Sequence, residues 1–577
     1  LLTGGSRVAP PRHRTLHAVV TWSWDLLTEP ERRLARRLSV FAGGATLESV
    51  EQVCAADAAD LAALVGKSLV EVDETGRYRM LETIRAYAAE RLAEAGEATE
   101  LRRRHAEQLI ALLEHAEPRL RTARQFEWIR RLAAEHDDFN AALRWAIDSA
   151  ETRIAVRLCG ALNWYWWLCG YRTEGSVWAD QVLALAGDTP PQGLVRAYAG
   201  CMFAWGMSRL GAMMNDVDLL GEMDRRMDQL ITLAEAEGAV HPMLRIGRAV
   251  VAAMSGRGDR AGELIARYVR DPDPWLASSA RMIRGGVNGD VAEAEQDLEQ
   301  AVAGFRQIGE RWGLSEALLS LATLRSARGD FSAAAEPLTE LEALTDEWLV
   351  AEETISTLTR LAGIKAATGD HEGATADLAK ARLGVTSQVS PHSLLQLRMG
   401  EADLARRRGD LRTALAAYAE TVARLQEVSG VPQQVALART GYGRALAAAG
   451  DIRRALAEHQ AALEVLGTAP GKPILLTVII GLALTALAAG QAERAAALLG
   501  AGSAVAGGPL GDTDVTGVTA RARDVLGEPD FTAAFDRGRR LDRQGLHTLI
   551  QAVIAADRGR QMSGMSCSGC RDSLPYR

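Results

Sequence analysis

Apolar residues recur at the helical period along almost the whole chain. Ile84, Tyr87, Ala88 and Leu92 fall at i, i+3, i+4 and i+8 and make one stripe of a helix. Upstream, Leu16, Val19, Val20, Trp22 and Leu26 predict a helix from Thr15, and Leu34, Leu38 and Phe41 a second. Thr28-Glu29-Pro30-Glu31 opens that second helix at capping-box spacing, and Gly43-Gly44 ends it. Thr46 and Asp57 can cap two short helices, running through Cys54 and Val65. The period then changes, and Ser68–Val72 with Arg77–Leu81 predicts a hairpin around Asp73-Glu74-Thr75-Gly76. Residues 96–190 return to helix. Asn163-Trp164-Tyr165-Trp166-Trp167-Leu168 puts aromatic rings on every side of one helix there, which predicts burial all round, with an aromatic ligand platform as the lesser alternative.

From about residue 191 the chain repeats. Gly289-Asp290, Gly329-Asp330, Gly369-Asp370, Gly409-Asp410, Gly450-Asp451 and Gly490-Gln491 follow one another at steps of 40, 40, 40, 41 and 40. Five residues after each Gly stands Ala: 294, 334, 374, 414, 455 and 495. Nine after it comes a larger side chain: Leu298, Leu338, Leu378, Tyr418, His459 and Leu499. Seven before it the residue is small (Ala322, Ala362, Ala402, Gly443, Ala483), with Met282 the exception. Small residues at helix crossings, a Gly ending one helix and an Asp capping the next are what stacked helical hairpins need. The pattern resembles tetratricopeptide repeats stretched to about 40 residues. It reads as a structural solenoid or, more sharply, as a curved binding surface. In that register Glu316, Gln396, Asp403, Arg406, Arg407 and Arg444 face the groove, as candidate contacts for a partner or as a merely solvated face. Arg406, Arg407 and Arg444 are expected to tolerate Ala, whereas Ala414 and Ala455 sit at crossings.

Composition narrows the classes. At 577 residues, three or four structural units are expected. The net charge of −8 argues against a dedicated nucleic-acid binder. Only Lys67, Lys365, Lys380 and Lys472 are lysines, a bias toward Arg that fits a GC-rich genome. Six cysteines (54, 159, 169, 201, 567 and 570) form no even framework, so a reducing cytoplasm is expected, and the single CxxC at Cys567 and Cys570 is a poor zinc site. Between Lys472 and Glu493 lie 20 uncharged residues, enough to cross a bilayer. The repeat register instead places that run in a buried solenoid helix.

Helices followed by a hairpin make a winged-helix pattern over residues 15–95, and such a domain invites a DNA-binding reading. The helix that would enter a groove, Asp57–Gly66, carries two acids and no base, the wrong sign for phosphate. Arg32, Arg33, Arg36 and Arg37 read as a solvated or interdomain face. Gly66-Lys67-Ser68 mimics the end of a phosphate-binding loop, but Leu61 stands where that loop needs Gly, and a helix precedes it instead of a strand. No HExxH pair or GxSxG elbow is present, and Asp137-Asp138 reads as helical surface. No catalytic residues, no metal ligands and no enzymatic activity are expected.

The stretches RHRTLHAVVTWSWDLLTEPERRLARRLSVFAGGATLESVEQVC, LVGKSLV, YRMLETIRAYAAERL and EHDDFNAALRWAI together resemble bacterial AfsR/SARP-like transcription regulators of the STAND class of signalling ATPases, closely over residues 1–190 and in architecture beyond. The resemblance implies that Met80-Leu81-Glu82 matches a Met-His-Asp motif whose His touches bound nucleotide. Leu81 replaces that His, which leaves Leu81 and Glu82 as nucleotide-latch candidates, while Leu81 by its own character reads as core. It further implies an upstream nucleotide-binding domain as partner, the only place for ATP or ADP, with no cofactor in this chain.

The expected architecture is therefore mainly α: a remnant of an upstream domain (1–14), a winged helix with one β-hairpin (15–95), a helical connector (96–190), a tetratricopeptide-like solenoid (191–557) and a disordered tail (558–577). The expected function is the regulatory or sensor portion of a cytoplasmic, ATP-switched bacterial transcription regulator, its repeats binding a protein, peptide or small-molecule effector. A free-standing interaction scaffold is the alternative.

Overall fold

In the computed structural model the described residues are 20–213, 217–238, 241–254, 257–288, 290–345, 351–386, 389–427, 432–466 and 472–565. The expected remnant at 1–14, Gly289, Cys567 and Cys570 lie outside them. The described residues are helical apart from one hairpin, and they divide into two units.

The first unit takes in residues up to 167, 171–207 and 230–240. It begins with helix α1 at residues 20–25, then α2 (Glu29–Leu38), α3 (Leu47–Cys54) and α4 (Ala58–Gly66). Each start follows the sequence signals. Thr28 and Glu31 form the capping box of α2, Thr46 and Ser49 that of α3, and Asp57 and Asp60 that of α4. Strands β1 (Glu71–Val72) and β2 (Tyr78–Arg79) pair antiparallel, Glu71 opposite Arg79 and Val72 opposite Tyr78. The hairpin is shorter than the alternation suggested because Leu69 and Val70 turn into the core instead of continuing the ladder. Helix α5 (Glu82–Glu94) closes the domain, burying Ile84, Tyr87, Ala88 and Leu92, with the Tyr87 ring edge-on to Trp24 at 5.4 Å.

Helices α6 (Ala98–Ala116), α7 (Gln125–Ala133), α8 (His136–Asp148), α9 (Thr152–Leu168), α10 (Arg172–Ala186) and α11 (Val195–Met213) continue the chain. Of the aromatic run of α9, Trp164, Tyr165, Trp166 and Leu168 are at 2% exposure or less, while Trp167 is half-buried.

The second unit is assigned residues 168–170, 208–229 and everything from 241. After α12 (Val217–Glu237), α13 (Pro242–Met254) and α14 (Gly258–Ile265), six helical hairpins follow. Their first helices are α15 (Pro274–Val287), α17 (Arg311–Ala327), α19 (Ala351–Thr368), α21 (Pro391–Arg407), α23 (Pro432–Ala448) and α25 (Lys472–Ala488). Their second helices are α16 (Val291–Ile308), α18 (Phe331–Thr345), α20 (His371–Leu383), α22 (Leu411–Glu427), α24 (Ile452–Leu466) and α26 (Ala492–Ala506). The Gly of the turn adopts positive φ at 329, 369, 409, 450 and 490, where a side chain would be strained. Asp290, Asp330, Asp370, Asp410 and Asp451 each accept a hydrogen bond from a backbone N–H in the first turn of the next helix. Gln491, the one departure from the motif, makes no such bond. All six spaced Ala residues are buried, as are Leu298, Leu338, Leu378, Tyr418, His459 and Leu499. This is a tetratricopeptide-like solenoid. Among the described residues no helix is long and apolar enough to cross a membrane. Val478, Ile479, Leu482, Ala483 and Ala486 of α25 are fully buried within the repeats.

Three further helices, α27 (Thr513–Leu526), α28 (Glu528–Arg539) and α29 (Arg543–Met565), follow the last hairpin. Residues 558–565, expected to lack structure, therefore belong to α29, and 566–577 lie outside the described residues.

Candidate functional site

The winged-helix domain contributes the first group of candidates. Leu81 is not core: it stands as N-cap of α5 with 55% of its surface exposed. The apolar stripe of α5 starts at Ile84, and Leu81 lies one helical turn before it, on the open side of the helix start. Glu82 is exposed beside it and accepts from Arg85 at 2.8 and 3.0 Å. Lys67 caps the end of α4 and pairs with Glu31 at 2.6 Å. That bond, with the Thr28 N–H, holds the Glu31 carboxyl down to about 2. The Gly66-Lys67-Ser68 run thus ends a helix and opens none. Arg36 and Arg37 both reach Glu97, at 2.7 Å each.

A second group ties the hairpin to α8. Arg77 Nη1 donates to Glu135 at 2.5 Å, while Nη2 donates to Glu135 at 2.9 Å and to the Gly44 carbonyl at 2.5 Å. Asp138 is no surface acid. It is fully buried and accepts from the backbone N–H groups of Ala42 and Gly43 at 2.8 and 3.0 Å. Burial and the nearby Glu135 carboxylate push its pKa up to about 7, against the pull of those N–H groups and Arg77. His105, 3.5 Å away, is buried too and held down to about 4. A Gly-Gly turn needs its N–H groups satisfied once covered, and the acidic start of α8 supplies the acceptor. The acidic start of α8, with Asp138 third in the helix, was the available signal.

The third group holds the groove candidates. Glu316 pairs with Arg360 of α19 at 3.0 Å, and Gln396 is half-buried on α21. Asp403, Arg406, Arg407 and Arg444 come together, but not as a solvated face. Arg406 and Arg444 are 9% and 8% exposed, and the Arg407 side chain 5%. What covers them is the start of α27. Arg406 Nη2 donates to Asp514 at 2.7 Å and to Asp403 at 2.8 Å. Arg407 donates to Asp403 at 2.8 Å and to both Asp512 oxygens at 3.0 and 3.1 Å. Arg444 donates to the Thr477 carbonyl at 2.9 Å and lies 3.7 Å from Asp514. Burial works against the charges of Asp403, Asp514, Arg406 and Arg407, but the opposite charges outweigh it. Asp403 and Asp514 are held below the usual carboxylate range, and Arg406 and Arg407 above the usual guanidinium range. The expected exposure of the three arginines is thus corrected: a segment far downstream, 105 or more positions beyond Arg406 and Arg407, lies over them, which no local pattern announces.

Two buried rings back this cluster. His459 bonds Thr485 at 3.0 Å and is held down to about 3 by burial and by Arg444. Tyr418 is buried, and its hydroxyl titrates well above the ordinary range because of burial and Asp403. Asp512 and Thr513 escaped the sequence reading because a Gly-Asp-Thr-Asp run looks like any helix cap.

Comparison with known proteins bears on the winged-helix domain. Residues 27–93 match the winged helix-turn-helix domain family. Over 193 residues the chain is 36% identical to proteins of Mycobacterium tuberculosis and Mycobacterium bovis described as HTH-type transcriptional regulators, a match covering 32% of this chain and 22% of theirs. An uncharacterised Mycobacterium tuberculosis protein is 42% identical over 109 residues, 17% of this chain and 28% of that one. The chain thus spans well under a third of the curated relatives it matches. Among solved structures, a signal transduction ATPase with numerous domains and a tetratricopeptide repeat sensor from Pyrococcus horikoshii aligns with 93% of this chain and 68% of its own, at 13% identity and a TM-score of 0.34. Yeast Tom70 aligns with 80% of this chain and 97% of its own, at 14% identity and a TM-score of 0.31. The winged helix-turn-helix match lies wholly within the first unit.

Proposed function

We propose that this chain is the regulatory portion of an ATP-switched transcription regulator of the STAND class, AfsR/SARP-like, in which the repeat arm binds a protein partner or effector. The winged helix acts within the protein and not on DNA. The observation that carries this reading is the chemistry of the winged helix itself. Its would-be recognition helix α4 is capped by Asp57 and Asp60, and Lys67 and Arg36/Arg37 are engaged by Glu31 and Glu97. A domain that spends its bases internally is suited to protein contact. Exposed Leu81 and Glu82 offer such a contact to an upstream nucleotide-binding domain, the site of any ATP or ADP. The chain has no catalytic role of its own, and it works in the cytoplasm.

The test is transcriptional. Removing residues 290–565 from the encoded protein should change the expression of a defined gene set in either direction, and Leu81→Asp should change the same set. Transcript profiles indistinguishable from wild type in both variants would defeat the reading in favour of an interaction scaffold.

A further inference from the structure

We propose that Arg406, Arg407 and Arg444 form a recognition site for an acidic peptide segment of a partner protein, and that the chain's own residues 511–514 occupy this site in cis. The proposal rests on reading the repeats as a partner-binding arm.

The first argument is topological. Repeats of a solenoid touch only their neighbours. Four consecutive residues here meet the ends of four successive first helices. Gly511 N–H donates to the Ala327 carbonyl at the end of α17, 2.6 Å away. The Thr513 methyl lies 3.8 Å from where a Cβ on Gly369, just past α19, would stand. Asp512 and Asp514 meet Arg407 and Arg406 on α21, and Asp514 faces Arg444 on α23. Four residues span no more than about 14 Å of chain, so these helix ends converge on one short strip.

The second argument is charge. The repeats bring three guanidiniums here against one carboxylate, Asp403, which Arg406 and Arg407 contact and whose charge Arg444 also feels. Asp512 and Asp514 bring the carboxylates to the same number as the guanidiniums. Arg407 grips Asp512 with two parallel bonds, the fork geometry by which arginine selects a carboxylate.

The third argument separates a peptide from a free anion. The strip is read through main chain as well as charge. A Cβ on Gly511 would fall 1.9 Å from the Gly329 nitrogen and 2.4 Å from the Ser326 carbonyl oxygen. Only a residue without a side chain lets the two backbones meet so closely. The motif recognised is thus a glycine followed by two acids one residue apart, Gly511-Asp512-Thr513-Asp514. Being tethered, this segment competes at millimolar effective concentration, so a partner engages only by presenting the same chemistry or after the strip has lifted.

The experiment uses the full chain and a fluorescent synthetic peptide of residues 507–518. The variant combining Asp512→Asn with Asp514→Asn should bind the peptide at least tenfold more tightly than wild type does, because its own strip no longer competes and the freed arginines turn to the probe. The same peptide with both Asp replaced by Asn, and inorganic phosphate, should not compete. A folded variant that binds no better than wild type, or that takes the Asn peptide equally well, overturns the proposal. Should the double variant fail to fold, wild type answers by amide hydrogen exchange. Excess peptide should speed exchange of the Gly511 N–H, and an unchanged rate overturns the proposal too. Either failure leaves the transcriptional test of the repeat arm standing, so the two readings fail separately.

Discussion

Arg407 and Asp512 are joined by two parallel hydrogen bonds of 3.0 and 3.1 Å although 105 positions separate them in the chain. Both side chains are largely covered, at 5% and 18% exposure. Removing one member of a covered pair leaves the other charge without compensation, at a cost of roughly 3–5 kcal/mol. Arg407→Ala should therefore destabilise the repeats by about 3 kcal/mol, not the half kcal/mol typical of a surface change. Chemical denaturation of wild type and variant measures this directly. A loss within about 0.5 kcal/mol would mean that the strip contributes nothing to the folded state.

The repeat crossings make the next prediction. Gly443 stands where a Cβ would meet the His459 ring at 2.7 Å and the Ala455 carbonyl at 3.1 Å. His459 is fully buried and hydrogen-bonded to Thr485, so it has no room to yield. Gly443→Ala should cost on the order of 1–3 kcal/mol by overpacking, and Ala455→Leu, at a fully buried crossing, a similar amount. Thermal melts in which both variants matched wild type would displace His459 from the crossing.

These two sites mark where the sequence was informative and where it was not. The Gly-Asp turns, their caps and the spaced Ala residues are local, and helix geometry converts them into positions without further knowledge. Tyr418 and His459 fall at large-residue positions of the same register, so their burial was legible although their polarity argued otherwise. Arg406, Arg407 and Arg444 carry the charge of a solvated face, and only a strip arriving from residue 511 onward reverses that. Asp138 is the same case in the first unit, since its acceptors' partners lie some 95 positions upstream. Leu81 errs in the other direction. Its side chain is apolar, but its place at the helix start turns it outward.

Asp138 gives a pH prediction with a definite sign. Its folded-state pKa of about 7 lies above the 3.8 of an unperturbed side chain. Between those values the folded protein holds a proton that the unfolded chain has released, so this group's contribution to stability is largest at the acidic end and is lost as pH rises toward 7. Each tenfold change in proton affinity is worth about 1.4 kcal/mol. His105, held down to about 4, contributes in the opposite sense between pH 5 and 6.5, so the sign is read from the difference. From pH 5 to pH 8 wild type should lose melting temperature relative to Asp138→Asn. A melting temperature that rises steadily from pH 5 to pH 8, unchanged by the substitution, would show that Asp138 stays ionised.

Lys67 predicts what nucleotide will not do. Its amine is engaged by Glu31 at the end of a helix, whereas phosphate-binding loops present backbone N–H groups at a helix start. Isothermal titration of the isolated chain with ATP should show no heat of binding. Lys67→Ala should alter stability by no more than about 1 kcal/mol, since the amine is partly exposed. Micromolar ATP affinity lost in Lys67→Ala would reverse this assignment.

The last prediction concerns DNA, the ligand a winged helix most readily suggests. Three surfaces would have to touch the duplex, and each has the wrong charge or is largely engaged already. Helix α4 presents Asp57 and Asp60 and no base along its nine residues. The wing tip carries Asp73 and Glu74. Asp73 is held down to about 2, chiefly by the Thr75 hydroxyl and the Arg77 N–H, so it stays charged at any physiological pH, and it takes up Arg79 at 3.0 Å as well. Of the basic face of α2, Arg36 and Arg37 share Glu97 and Arg32 donates to the Trp24 and Asp25 carbonyls, while Arg33 is exposed. Phosphate binding draws its affinity from displaced counterions and needs free Lys or Arg, and the chain's net charge of −8 repels the duplex at longer range. Mobility-shift titrations at physiological salt should therefore give no discrete complex, and Arg36→Ala should lower stability without changing that result. A sequence-specific complex abolished by Arg32→Ala or Arg36→Ala would restore the winged helix to DNA and remove the main support for its role inside the protein.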